Sequence, residues 1–297
     1  MAGQQTAHNR ARRRLSRAGL HIFLSILAFI FAWPLLYAIY VSLRPYGELV
    51  NNKNGAFSTP ATLDLGNYIT FWNQADYPHF FWNTLVITIP AILLTLWVSS
   101  MLAFAISRFS WRFNLIVLMI FTAGNLLPPQ VIIVPLYRLY NLLPVPAPFS
   151  DNGIMYDQAL GLILIHATFQ TGFCTFVLSN YMKTLSKELV EAAMIDGAGV
   201  FTIYWRVIMP LVRPALAALT TLLFVWIYND FFWSVMLFKS GGKRPITAAL
   251  NNLQGTFFVD PTLVAAGSLL AAIPTVVVYL LLQRYFISGL TLGSAKG

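Results

Sequence analysis

The chain has 297 residues, of which 58% are hydrophobic and only 10% charged, and its formal net charge is +9. A soluble domain carries roughly 25% charged residues, so a chain with a mean hydropathy of +0.68 belongs in a lipid bilayer. The positive charge is read as membrane topology and attraction to anionic lipid, which excludes a nucleic-acid surface.

The first element is a basic amino-terminal segment, 1–19, carrying Arg10, Arg12, Arg13, Arg14 and Arg17. Six apolar stretches follow, at 20–43, 80–106, 115–136, 160–181, 215–238 and 263–286. About 20 helical residues rising about 1.5 Å each cross a hydrocarbon core of roughly 30 Å. A lone span in lipid must satisfy its own backbone hydrogen bonds, so each stretch is expected to be helical. The first is too long for the apolar core of a cleaved signal, and no small-residue cleavage site follows it at Arg44-Pro45-Tyr46. It is expected to stay in the mature protein, giving an all-α, six-helix membrane domain over 20–288 and a tail at 289–297.

The Lys and Arg residues divide unevenly between the two sides that this pattern defines. Thirteen lie on the side of the amino terminus, including Arg108, Arg112, Lys183, Lys187, Arg206, Arg213, Arg284 and Lys296. Six lie on the other, namely Arg44, Lys53, Arg138, Lys239, Lys243 and Arg244. The positive-inside rule places both termini in the cytoplasm of a bacterial inner membrane. The external loops are rich in aromatic residues and proline, among them Tyr68, Trp72 and the run Pro144-Val145-Pro146-Ala147-Pro148. Cys174 is alone, so it forms no intramolecular disulfide and is assigned to packing.

Between the fourth and fifth spans lies a 183–213 connection, far longer than the usual 4 to 6 residues or so. It is periodic, and an ordered cytoplasmic element is expected. Ser186 is an N-cap candidate, Glu188 falls in the first turn, and Gly197 is placed to close a helix of about ten residues. Leu189, Ala192, Ala193 and Asp196 follow i, i+3, i+4, i+7 spacing and share one face. The two alanines leave that face low, with Glu188 and Glu191 to one side. A second short helix is expected over about 200–209, with Pro210 and Pro214 marking the start of the fifth span.

Glu191-Ala192-Ala193, Gly197 and Val207-Ile208-Met209-Pro210 resemble the Glu-Ala-Ala signature of binding-protein-dependent ABC importer permeases. Spacing and loop position match; Val207 and Met209 replace the family's Ile and Leu. Ser42-Leu43-Arg44-Pro45, Asn229-Asp230 and the ending 289–297 are similar to the shorter channel subunit of maltose-type carbohydrate permeases. The resemblance implies the type I importer permease fold and a sugar cargo. It also implies that Leu189, Glu191, Ala192, Ala193, Asp196 and Gly197 dock into an ATPase as a coupling helix. The implied partners are a second permease subunit, two ATP-binding subunits and an external solute-binding lipoprotein. Two further contacts are implied by position: Asn252, Gln254 and Gly255, with Asn251, toward the binding protein, and the tail between the ATPases.

The chain itself binds no cofactor by this reading. A P-loop needs Gly-Lys followed by Ser or Thr, and Gly242-Lys243 is followed by Arg244. ATP and magnesium are therefore assigned to the partner. A membrane-embedded hydrolase would need a nucleophile and base or a metal cluster, and His8, His21, His79 and His166 are scattered without a His-Glu-x-x-His pattern, which argues against that class. The alternative is a stand-alone secondary transporter or channel. Such a protein is expected to carry coupled intramembrane charges or inverted repeats, and Asp230 is nearly solitary.

Candidate pathway residues are those that lipid penalises. Asp230, with Asn229 and Tyr228, lies inside the fifth stretch, where an ionised carboxylate costs at least about 2.5 kcal/mol without a partner. It either faces the pathway or pins two helices. Asn125, with Pro128 and Pro129, is expected to break or kink the third span, as a gate or as a static bend. His166, Gln170 and Thr171 either line a polar path or bond helix to helix.

Overall fold

The computed structural model describes residues 2–51, 62–109, 112–250 and 260–291. In chain order the helices are α1 (Ala2–Ser42), α2 (Tyr46–Asn51), α3 (Gly66–Gln74), α4 (Tyr77–Arg108), α5 (Asn114–Gly124), α6 (Pro129–Leu142) and α7 (Ala159–Thr184). They continue with α8 (Glu188–Ile195), α9 (Val200–Thr202), α10 (Met209–Leu211), α11 (Arg213–Tyr228), α12 (Phe232–Leu237), α13 (Ile246–Ala249) and α14 (Pro261–Thr291). A π-helical stretch, Ile203–Ile208, joins α9 to α10. The described residues form no β-strand, so the fold is all-α.

Among the described residues, four helices are long and apolar enough to cross a membrane: α1 from Arg17, α4, α7 and α14. Two bent pairs raise the number to six if each is one span: α5 with α6, at 93°, and Val200–Leu211 with α11, at 73°. The third stretch breaks at Asn125 and the two prolines, as expected there. The fifth departs from the expected continuous helix over 215–238, because α11 stops at Tyr228 and α12 starts at Phe232. Side chains replace backbone continuity at this break. Asn229 Nδ2 donates to the Val225 carbonyl at 2.8 Å, while the Asp230 carboxylate accepts from the amides of Trp233 and Ser234. A polar side chain that bonds the neighbouring backbone competes with helix continuation and caps the next one. The second helix of the long connection also exceeds its expected 200–209, running to Leu211 before the chain turns at Val212.

The chain divides into two compact units. In the first, 1–75 with 254–270, the end of α1 is tied to α3. Ser42 Oγ and the Tyr68 hydroxyl are 2.7 Å apart, and Asn67 Nδ2 donates to the carbonyls of Ser42 and Arg44 at 2.8 Å each. Arg44 is fully buried, paired with Glu48 at 3.1 Å and stacked over Tyr40. The Ser42-Leu43-Arg44-Pro45 sequence is thus a structural corner. Asp260 caps α14 by accepting from the amides of Thr262 and Leu263, and a β-carbon at Gly267 would overlap the Phe71 ring.

The second unit, 76–253 with 271–297, is built on α4 and α7. Their facing surfaces carry small side chains: Ala91, Ser99, Ser100, Ala103, Cys174, Thr175 and Ser179 are all buried. Small residues let helices in lipid approach closely, and Thr95, Ser99 and Thr171 satisfy their hydroxyls on carbonyls of their own helices. Arg108, at the end of α4, donates to the Met182 and Leu185 carbonyls at the end of α7. At the opposite end, Ile246 N donates to Thr84 near the start of α4. Ile87 and Leu162, near the starts of α4 and α7, share one core, so the two long helices are parallel. Tyr140, Trp233 and Leu237 belong to the same apolar core.

Candidate functional site

At the far end of α4 and α7 the chain builds α8. Ser186 Oγ accepts from the Glu188 amide at 3.2 Å, closing the first turn. Gly197 adopts φ +78°, a left-handed conformation in which a β-carbon is strained. The Gly197 amide donates to the Met194 carbonyl and the Ala198 amide to that of Ala193, at 3.0 and 2.9 Å. These are the two bonds of a Schellman termination, so the expected closure at Gly197 is what forms. The helix has eight residues, shorter than the ten or so expected.

Only Val190 of α8 is buried. At about 100° per residue, Lys187, Glu191 and Met194 fall on the same side as Val190. All four line a cleft of about 480 Å³ with Ser107, Arg108 and Asn114. The opposite side presents Glu188, Leu189, Ala192, Ile195 and Asp196, all exposed. Of the expected docking residues, Leu189, Ala192 and Asp196 share this outer face. Ala193 is half-buried, and Glu191 lies on the cleft side. Sequence reasoning missed Ile195, which is 86% exposed. Its apolar character pointed inward, and only what packs under α8 reveals that it faces out. With Leu189, Val200 and Phe201 it leaves large apolar groups uncovered, the usual mark of an interaction site.

The helix after α8 is tied to the bundle. The Tyr204 hydroxyl lies 2.7 Å from Ser100 Oγ on α4, and its ring packs on Phe104. The helix that follows α8 is therefore in direct contact with α4.

The break in the fifth stretch holds the intramembrane carboxylate. Asp230 Oδ2 accepts from the amide and hydroxyl of Ser234 at 3.0 and 2.8 Å and lies 3.6 Å from His166 Nε2 on α7. The Asp230 carbonyl accepts from Thr247 Oγ1 at 2.6 Å. Asp230 is therefore a cap for α12, with the His166 imidazole of α7 close by. Its side chain is only 10% exposed. Tyr228 is buried and stacks on Phe224, while the exposed Asn229 is bonded to Val225 and to Thr275 Oγ1 of α14. Asn125 and Gln170 are instead brought together, in an open groove between α5, α7 and α11. Asn252, Gln254, Gly255 and residues 292–297 of the tail lie outside the described residues. The helix α14 reaches Thr291, past the expected start of the tail.

A structural residue unmarked in the sequence is Asp157, at φ 66°. Its carboxylate accepts from the amides of Lys239 and Ser240 at 2.9 and 3.0 Å and from the Ser240 hydroxyl at 2.6 Å. Lys243 Nζ adds bonds to Asp151 and to the Asp157 carbonyl. His79 and Asn83 reach the Gly242 carbonyl. The loops at this end are thus fastened into one plate.

The several apolar helices, with a short, capped helix exposed at one end, define an all-α membrane protein. The chain belongs to the family described as binding-protein-dependent transport system inner membrane component, whose model matches residues 96–291. It is 31% identical to a probable ABC transporter permease protein of Pyrococcus horikoshii, over 87% of this chain and 91% of that protein. It is 29% identical to the melibiose/raffinose/stachyose import permease protein MelC of Bacillus subtilis, over 96% of this chain and 100% of MelC. Identity is 30% to the arabinooligosaccharides transport system permease protein AraQ of Halalkalibacterium halodurans, over 94% and 96%. Among solved structures, a bacterial ABC transporter involved in the import of the acidic polysaccharide alginate matches with a TM-score of 0.74. That match has 23% identity and covers 92% of this chain and 97% of that one.

Proposed function

We propose that this chain is one of two permease subunits of an ATP-driven importer that moves a di- or oligosaccharide delivered by an external binding protein. The observation that carries the reading is the outer face of α8, a capped helix standing off the bundle with Ile195 and Leu189 uncovered. An ATPase subunit is the partner that such a face fits in this family. ATP and magnesium are bound there. Relatives named for melibiose, raffinose, stachyose and arabinooligosaccharides support the saccharide cargo.

The α8 end of the second unit carries Arg108, Lys183 and Lys187, and the opposite end Lys239, Lys243 and Arg244. The positive-inside count over the whole chain supports assigning the α8 end to the cytoplasm. The plate around Asp157 and Gly242 then faces the binding protein, a lipoprotein in this arrangement. Nucleotide-driven closure of the two ATPases pulls α8. The Tyr204–Ser100 contact passes the pull to α4, and the 73° elbow passes it to α11. The pathway changes from inward-open to outward-open, a two-state equilibrium biased by ATP and loaded binder.

The test is uptake into proteoliposomes holding the assembled subunits, with ATP inside and sugar-loaded binding protein outside. Uptake is expected only with both present. Uptake driven by an ion gradient without ATP supports the secondary-transporter reading instead.

A further inference from the structure

We infer that the groove between α5, α7 and α11 is a saccharide subsite contributed by this subunit, an inference that rests on the sugar-importer reading above. The groove has a volume of about 410 Å³ and is lined by Thr122, Asn125, Phe169, Gln170, Phe173 and Trp226, among others. Ligand sites fall in the range of about 300 to 1,000 Å³.

Its lining is mainly apolar, Leu126 and Phe176 included, with a few amide and hydroxyl groups set among the rings. Gln170, half-buried at the middle of α7, makes no side-chain hydrogen bond among the described residues. The amide of Asn125 holds the Phe121 carbonyl only at 3.5 Å. Thr122 donates to its own helix and keeps its lone pairs. Beside these groups, Trp226 is 42% exposed, held edge to face by Phe173 with ring centroids 5.4 Å apart. A pyranose ring presents hydroxyls at its rim and an apolar C–H surface on its face. Carboxamides, which donate and accept, match the rim, and a fixed aromatic ring matches the face.

Other occupants fit less well. Lipid tails would leave the Gln170 amide unpaired in hydrocarbon, which is unfavourable. A helix of the second permease has its backbone groups already bonded and offers the two amides nothing without polar side chains of its own. The break at Asn125 also ends α5 here, so the groove opens where the span is interrupted.

The experiment uses the assembled transporter in proteoliposomes with its binding protein and radiolabelled maltose, melibiose and raffinose. Trp226→Ala and Gln170→Ala are each expected to reduce uptake efficiency by about three- to tenfold, the worth of one stacking or hydrogen-bonding contact. Trp226→Phe, which keeps a ring, is expected to retain most of it. In a Cys174→Ala background, Gln170→Cys is expected to react with a hydrophilic thiol reagent and to be protected at least about threefold by the transported sugar. Wild-type uptake with unchanged variants, or a Gln170→Cys thiol that is unreactive or unprotected, overturns the subsite alone. Variants that lose the second permease on purification mark the groove as a subunit interface and overturn it too. A wild-type complex that moves none of the three sugars overturns the sugar reading and this inference with it.

Discussion

Gly172 has no room for a β-carbon, which would overlap the Phe121 carbonyl where α5 crosses α7 and press on Asn125. The obstacle is backbone and cannot rotate away. Gly172→Ala is expected to destabilise the purified subunit by about 1 to 3 kcal/mol, as overpacking does, seen as a lower thermal midpoint in detergent. An unchanged midpoint contradicts the close crossing. Asp230 permits a second test at this scale. Asp230→Ala removes the acceptor for the Trp233 and Ser234 amides and is expected to cost about 1 kcal/mol or more. Asp230→Asn keeps an acceptor oxygen and is expected to lose less, so equal losses contradict a capping role. The carboxylate stood out in the sequence because charge is rare in an apolar stretch. Gly172 did not, since a glycine in such a stretch shows nothing of what it touches.

For the element α8, limits were legible and orientation was not. Ser186 and Gly197 bound a periodic segment, and capping chemistry is local. Which side faces out depends on Val190 and Met194 lining a cleft with the end of α4 and the start of α5, parts of the chain far away in sequence. Hence Glu191 moved to the cleft side and Ile195 to the outer face. Ile195→Asp and Gly197→Asp are expected to lower ATP-coupled uptake at least about tenfold, with membrane insertion unchanged by fractionation. Coupled uptake at the wild-type level by both contradicts the docking face. The loop plate was hidden for the same reason, since Asp157 and Ser240 are far apart in sequence. There the Asp151 carboxyl is held down at about 2, first by the hydrogen bond from Lys243 and then by that from Gln158. A depressed acid contributes stability above its ordinary value of 3.8 and loses it as pH falls toward 2. The plate is thus expected to be insensitive to pH above about 5. A labelled Asp151 carboxyl should titrate near 2 by NMR in the wild type and clearly higher, toward 3.8, in Lys243→Ala, which keeps the Gln158 hydrogen bond. Equal titrations contradict the latch.

For the whole molecule, composition and run length identified a helical membrane protein, because burial in lipid demands apolar residues and self-satisfied backbones. They did not show where helices turn. Pro128 and Pro129 signalled the break between α5 and α6, but not its 93° angle. The end of α11 at Tyr228 depends on Asn229 and Asp230 taking backbone partners in three dimensions. The central claim is that this bundle is a permease worked by a separate ATPase through α8. The most direct measurement is mass spectrometry of what co-purifies with the tagged chain in mild detergent, for the wild type and for Ile195→Asp. The account predicts an ATPase and a second permease with the wild type, and the second permease without the ATPase for the variant. A wild-type chain recovered without any ATPase, or a variant that retains it fully, would contradict the account.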